Sequence, residues 1–541
     1  MASFCANPSL IELHLANMSS PINRIPEELL VMIYEHVTQV DRGSFAYTLD
    51  GEPERHAYIE ARGAVRLTHV CRHWRQTALE SPTLWTRIDG RSSERLNTFL
   101  QRARKVPVSL YADVDAEDLD TILHTVPAEQ LRRLDLHLEP KEEYIVPLIS
   151  WSAPNLECLT MDAPRDDYPN AAKPLGRVQL LDGQADALKA LALQFVGTWV
   201  PSNTFPSLTH LHLSFAFRAN AQTHDLLSVL GNTPNLEFLL IDQQLYRRDD
   251  LSSIAGPIVL SHLKLLTLAR IAYTRVMNLL RYLSIPEQCF VRCHDVVINP
   301  AYGEGAPGPL VETGPLRHAT RLDLGPAIEY EFFLVVESEA AGFSMWAHMD
   351  DDESSWDSWF HSLPAMINVS TITSLHITIH ATHTFWSPVL RHMTAVTELK
   401  AVIGRIRPTL PHPSDTFCAL LSEEPILLPS LQDVYVQGFY CSGDLATSLS
   451  GLVDAVAFRA RAGHRLRRLV IQPDLNASQA HNLVGQHTAE LAGLVDGLEV
   501  LGPGPDLCGF EVRDLWQVDG QDRYWREDSA EFKIPQIADT W

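Results

Sequence analysis

Three clusters in this chain have residue types and spacing that could do chemistry. Gly303-Glu-Gly305-Ala-Pro-Gly308 has the glycine spacing of a dinucleotide fingerprint and follows a possible strand at Val296 to Ile298. In that motif backbone N–H groups at a helix start hold a pyrophosphate. Here Pro307 and Pro309 remove N–H groups from the cradle, and no helical pattern opens at Gly308. Cys289, Cys293 and His294 offer sulfur and nitrogen to a metal, but a zinc site needs four ligands and no second pair stands at a suitable spacing. Reduced core thiols explain the cysteines better. Asp113, Asp115 and Glu117 resemble part of a calcium loop without its turn glycine or its bidentate glutamate. Capping of the following helix suits Asp113 or Asp115 better. No His-Glu-x-x-His, Gly-x-Ser-x-Gly or Walker loop occurs, and the 23 histidines are scattered. The expectation is a chain with no catalytic residues, no cofactor and no metal, one that is not an enzyme and works by binding.

Binding chemistry concentrates near the N-terminus. Pro26 suits a helix start because its φ is already helical, and Glu27 and Glu28 face the positive end of the helix dipole. Leu29, Ile33 and Val37 then recur every four residues, and Leu30, Ile33 and Val37 at three and four. That apolar face is too wide for one neighbour and leaves a side for a partner. A second helix is predicted from Leu67, Val70, Cys71, Trp74 and Ala78, ending at Ser81 because a residue before proline disfavours the α region. Leu84 and Trp85 fold apolar bulk back. The candidate docking residues are Pro26, Leu29, Leu30, Ile33, Val37, Val70, Cys71 and Trp74. Between the two helical parts, the polar stretch Asp41 to His56, with Gly43, Gly51 and Pro53, is predicted to loop out.

Bulk composition narrows the class of partner. With 45% hydrophobic and 20% charged residues over 541 positions, the chain is globular. A net charge of -24 argues against nucleic acid, whose phosphates need a surplus of Lys and Arg. Residues 55 to 105 nevertheless hold 11 Lys or Arg against 4 Asp or Glu, a basic island. The eight cysteines form no disulfide framework, and there is neither a signal-peptide pattern nor a run of 18 apolar residues. An intracellular location, cytoplasmic or nuclear, without membrane contact is expected.

Past residue 105 one pattern returns. It runs Leu131-Arg-Arg-Leu134-Asp-Leu136, then starts again at Leu208, Leu236, Leu263, Leu431 and Leu466, with weaker copies at Leu156, Leu188, Ile372 and Val396. Alternation within each copy has the period of a half-buried strand, and helical patterns lie between copies, as at 225–230, 275–283 and 445–460. A strand and a helix per repeat stack into a curved solenoid. Its concave ladder is expected to display Asp135, His212, Asp323, His376 and Tyr435 as a candidate substrate surface. Leu10-Ile-Glu-Leu13-His-Leu15 also fits the pattern, so single matches carry little and the series carries the argument. Insertions are expected near 300–315 and 340–360, and Asp519-Gly520 between Trp516 and Trp525 predicts a hairpin in a terminal cap. The expected organisation is an N-terminal segment 1–20, a helical module with its linker helix 21–105, repeats 106–502 and a cap or tail 503–541.

The N-terminal pattern resembles the F-box family, with its Pro-x-Glu-Leu start at Pro26, Val-Cys-x-x-Trp-Arg at Val70 to Arg75 and Ser-Pro-x-Leu-Trp at Ser81 to Trp85. It departs from compact members by the insertion at 41–56. The array resembles leucine-rich-repeat proteins loosely, since repeat lengths vary and the expected asparagine is mostly absent. Together these resemblances imply a fold that is α+β overall, with an all-α F-box followed by an α/β leucine-rich-repeat solenoid of parallel strands. They imply a substrate-recognition subunit of an SCF-type cullin-RING ubiquitin ligase that holds an acidic Skp-type adaptor, through it a cullin, and an unknown protein substrate. The alternative is a non-catalytic repeat scaffold for protein interaction without a ubiquitin role.

Overall fold

The computed structural model describes residues 21–40, 46–47, 62–90, 92–114, 116–138, 150–162, 176–194, 199–214, 223–242, 256–298, 314–326, 331–349, 359–379, 383–403, 413–438, 445–472, 487–502, 516 and 518–527. The glycine motif at 303–308, the acidic run at 350–353 and the N-terminal segment 1–20 lie outside the described residues. The chain forms two compact units. The first holds Met1–Ala221, Ser228–Pro234 and Gly520–Asp528, and the second holds Gln222–Leu227, Asn235–Asp519 and Ser529–Trp541.

The first unit opens with helix α1 (Glu27–Val40), whose first turn is closed by the Leu30 N–H donating to the Pro26 carbonyl at 3.0 Å. Helices α2 (Arg62–Leu67) and α3 (Arg72–Glu80) pack on it, with Tyr34 and Trp74 ring centroids 5.1 Å apart. A short helical turn at Pro82–Trp85 then drives Trp85 into the interior, where it is fully buried. Its Nε1 donates to the Ala78 carbonyl at 2.8 Å. Phe99 meets it edge-on at 5.0 Å, and the Arg102 guanidinium stacks 4.3 Å from the ring centroid. Phe99 and Arg102 come from α4 (Ser93–Ala103), capped by Ser92 Oγ. Tyr34 is also fully buried, but its hydroxyl has no hydrogen-bond partner among the described residues, and burial pushes its pKa up. Tyr34→Phe is therefore expected to leave stability unchanged or raise it by up to about 1 kcal/mol, because an unpaired buried hydroxyl is a cost. Urea unfolding of both proteins checks this, and a loss above about 1 kcal/mol would show that the hydroxyl is paired.

The rest of the unit is a parallel ladder: β1 (Arg87–Asp89), β2 (Val108–Val114), β3 (Leu131–Leu138), β4 (Cys158–Asp162), β5 (Ala190–Gln194) and β6 (His210–Ser214). Leu134, Leu159, Leu191 and Leu211 are in register and buried on one face. On the other face the row reads Tyr111, Asp135, Thr160, Ala192, His212. Asp519 and Gly520 do form a turn, with Gly520 at φ 91, but among the described residues no hairpin follows. Arg526–Glu527 instead pairs in parallel with Ala46–Tyr47, inside the stretch expected to loop out at 41–56.

The second unit is also mixed α/β. Strands β7 (Phe238–Asp242), β8 (Leu265–Ala269) and β9 (Phe290–Ile298) are parallel neighbours. Three further strands follow: β10 (Arg321–Pro326), β11 (Glu331–Glu337) and β12 (Gly342–Met349). They enter the sheet in reverse order, with β9 parallel to β12, β12 antiparallel to β11, and β11 antiparallel to β10. Residues 342–349 were expected to loop out, yet Phe343, Met345 and Ala347 alternate into the core with period two. Parallel pairing resumes from β10 through β13 (Ser374–Ile379), β14 (Glu398–Ile403), β15 (Asp433–Gln437), β16 (Arg468–Gln472) and β17 (Gly497–Val500). Cys289 and Cys293 are buried around β9. Arg459 is fully buried and donates to the Leu427 and Leu428 carbonyls at 2.8 and 2.9 Å, fixing a turn in which Leu428 sits at φ 49. Among the described residues no helix is long and apolar enough to cross a membrane.

His294 on β9 gives this unit an acid sensitivity. Burial first, and the Arg292 charge second, lower its pKa from 6.5 to about 3, so the folded chain keeps it neutral where the unfolded chain protonates. The contribution is fully present above pH 6.5 and is lost as pH falls towards 3. Within that window the loss is about 1.4 kcal/mol per pH unit. Urea unfolding at pH 7 and 5.5 checks it, and His294→Gln should flatten the dependence. Equal pH slopes in the two proteins would contradict it.

Candidate functional site

The surface of α1 divides along its length. Leu30 and Tyr34 face inward with no exposure, whereas Leu29, Met32, Ile33 and Val37 are 50%, 62%, 38% and 49% exposed. Spacings of three and four residues bring these four onto one stripe. A groove continues it, lined by Pro21, Arg24, Ile25, Pro26, Leu29, Met32, Ile33 and His36. Val70 is 57% exposed at the end of the turn before α3, and Arg72 and Arg75 are exposed nearby. An apolar stripe beside basic side chains suits a partner with an apolar face and acidic surroundings.

Of the eight candidate docking residues, Pro26, Leu29, Ile33, Val37 and Val70 are exposed. Leu30 belongs to the core, because the neighbouring face of α1 packs against α3 and needs an apolar residue there. Cys71 serves as the N-cap of α3, its Sγ accepting from the Trp74 N–H at 3.5 Å. Trp74 is half-buried against Tyr34. Met32 was missed, although it lies three residues after Leu29 and the helical period marks it. Ile22 and Val65 are also exposed.

The strand-face residues share a register but are not open. Asp135 and His212 occupy one row in the first unit, and Asp323, His376 and Tyr435 occupy one row in the second. Asp135, His212, Asp323 and His376 are all buried. Arg133 pairs with Asp135 at 2.7 Å, and Arg321 pairs with Asp323 at 2.7 Å. Each arginine stands two residues earlier on the same strand face. Each carboxylate therefore already has a cationic partner on its own strand. Tyr435 is partly open, with Lys400 and Arg468 at 5.8 and 5.5 Å from its ring centroid.

Asp113, Asp115 and Glu117 have side chains outside the described set. Cys293 and His294 are adjacent on β9, so their side chains leave the strand on opposite faces.

A comparison with curated proteins gives no match to this chain. A family model described as F-box-like matches residues 22–91, the segment that carries α1, α2, α3, the Trp85 core and the exposed stripe. The N-terminal module of this protein is an F-box-like domain.

Proposed function

We propose that the chain is the substrate-recognition subunit of an SCF-type cullin-RING ubiquitin ligase. The F-box-like domain holds a Skp-type adaptor and through it a cullin. The strands and helices behind it act as divergent leucine-rich repeats, a curved solenoid that holds a protein target. The chain itself does no catalysis; it brings the target to an enzyme recruited by the assembly. One observation carries this reading: the Leu29, Met32, Ile33, Val37 stripe stays exposed on a helix whose opposite face is packed. A scaffold that used the module only to cap its own repeats would cover that stripe.

The test is capture of the intact chain from a cell extract, asking for adaptor and cullin together. Recovery of both, lost on Ile33→Asp, supports the reading. Recovery of neither with well-folded protein overturns it.

A further inference from the structure

The strand face of the first unit already holds a piece of the chain. Trp525 is buried against Tyr111, Cys158, Ala190 and Ala192, with Tyr524 packed beside it. The indole Nε1 donates to Thr160 Oγ1 at 3.3 Å. Tyr524 meets the His210 ring edge-on at 4.8 Å between centroids. Two side chains of the ladder hold the main chain of this segment: Arg133 Nη1 donates to the Tyr524 carbonyl at 3.2 Å, and His210 Nε2 to the Gly520 carbonyl at 2.9 Å. By register, this is the face that carries Asp135 and His212.

The chemistry is that of peptide recognition. Cys158, Ala190 and Ala192 are small enough to leave a floor for an indole, and Thr160 supplies an acceptor for its N–H. Donors aimed at carbonyls four residues apart hold a backbone whatever its side chains. Separately, in the second unit, Arg292 donates to the Trp516 carbonyl, and Trp516 lies 5.0 Å from Phe290.

We propose that this part of the ladder is a recognition site for a peptide presenting an adjacent tyrosine and tryptophan, and that the chain's own residues 520–527 occupy it in cis. The proposal rests on the target-binding reading only for its consequence: a target with such a peptide displaces the segment. Displacement also releases Arg526–Glu527 from Ala46–Tyr47, the strand inside the F-box-like domain.

The probe is a labelled peptide of residues 518–528 titrated into the full chain. Because a tethered segment competes at high effective concentration, Trp525→Ala is expected to bind the peptide at least about tenfold more tightly than wild type. Ala192→Leu added to that variant should abolish binding, as should Trp→Ala in the peptide. Equal affinity of wild type and Trp525→Ala overturns the proposal. If Trp525→Ala does not fold, hydrogen exchange of residues 520–527 in the wild-type chain decides. Faster exchange on adding millimolar peptide supports displacement, and unchanged exchange overturns it. Adaptor binding plays no part in this titration, so the site can fail while the adaptor reading stands, or the reverse.

Discussion

Replacing Leu29 and Ile33 together by Asp is expected to weaken adaptor binding at least about 100-fold while the thermal midpoint stays near wild type. Burying one such side chain contributes about 1.5 to 3 kcal/mol, and each 1.4 kcal/mol is a factor of about ten in affinity. Both residues are partly exposed, Leu29 to 50% and Ile33 to 38%, so the folded module loses little by the change. Leu30→Asp, one position away, should do the opposite. Its side chain has no exposure, so a carboxylate there is buried unpaired and the module should not fold. Titration calorimetry against purified adaptor and circular-dichroism melts separate the two effects. Wild-type affinity in the double variant would mean that the stripe is not the docking face.

Trp85→Ala should cost about 3 to 5 kcal/mol of stability, the largest single loss expected in the first unit. Three things go at once: the buried ring volume, the edge contact with Phe99 and the stack under Arg102. The Ala78 carbonyl also loses its indole donor at the end of α3. Trp85→Phe should recover part of the packing but not the hydrogen bond. Equilibrium urea unfolding followed by Trp fluorescence and circular dichroism measures both. A loss below about 1 kcal/mol for Trp85→Ala would show that this packing does not hold the helices together.

The strands at the apolar starts were legible because their signal is local. Each apolar start, Leu131, Leu156, Leu188, Leu208, Leu236, Leu263, Ile372, Val396, Leu431 and Leu466, is buried and precedes or opens a strand. The helices Thr223–Gly231, Tyr273–Tyr282 and Leu445–Arg461 fall on the helical patterns between copies. β11 and β12 escaped notice because they form an antiparallel run with β10, outside the strand-and-helix pattern, and the parallel pairing of β12 with β9 ties that run to the strands before it.

In the F-box-like domain, periodicity showed an over-wide apolar face but not which side would pack. Leu29 and Leu30 are equivalent until Tyr34 meets Trp74, and that contact is made across helices. The closure of Asp135 and Asp323 by arginines was readable in retrospect from Arg133-Leu-Asp135 and Arg321-Leu-Asp323, since residues two apart share a strand face. The landing of Tyr524 and Trp525 on that face had no local signal. An aromatic pair in a polar tail does not say which surface, 391 residues away at Arg133, will take it.

The central claim is that the exposed stripe of α1 is an adaptor-docking surface in the intact protein. Light scattering on a mixture of purified full-length chain and purified Skp-type adaptor tests it most directly. The predicted result is a one-to-one complex for wild type and two separate species for the Leu29→Asp, Ile33→Asp variant at equal concentration. Separate species for a folded wild-type chain, or the same complex from both proteins, would contradict it.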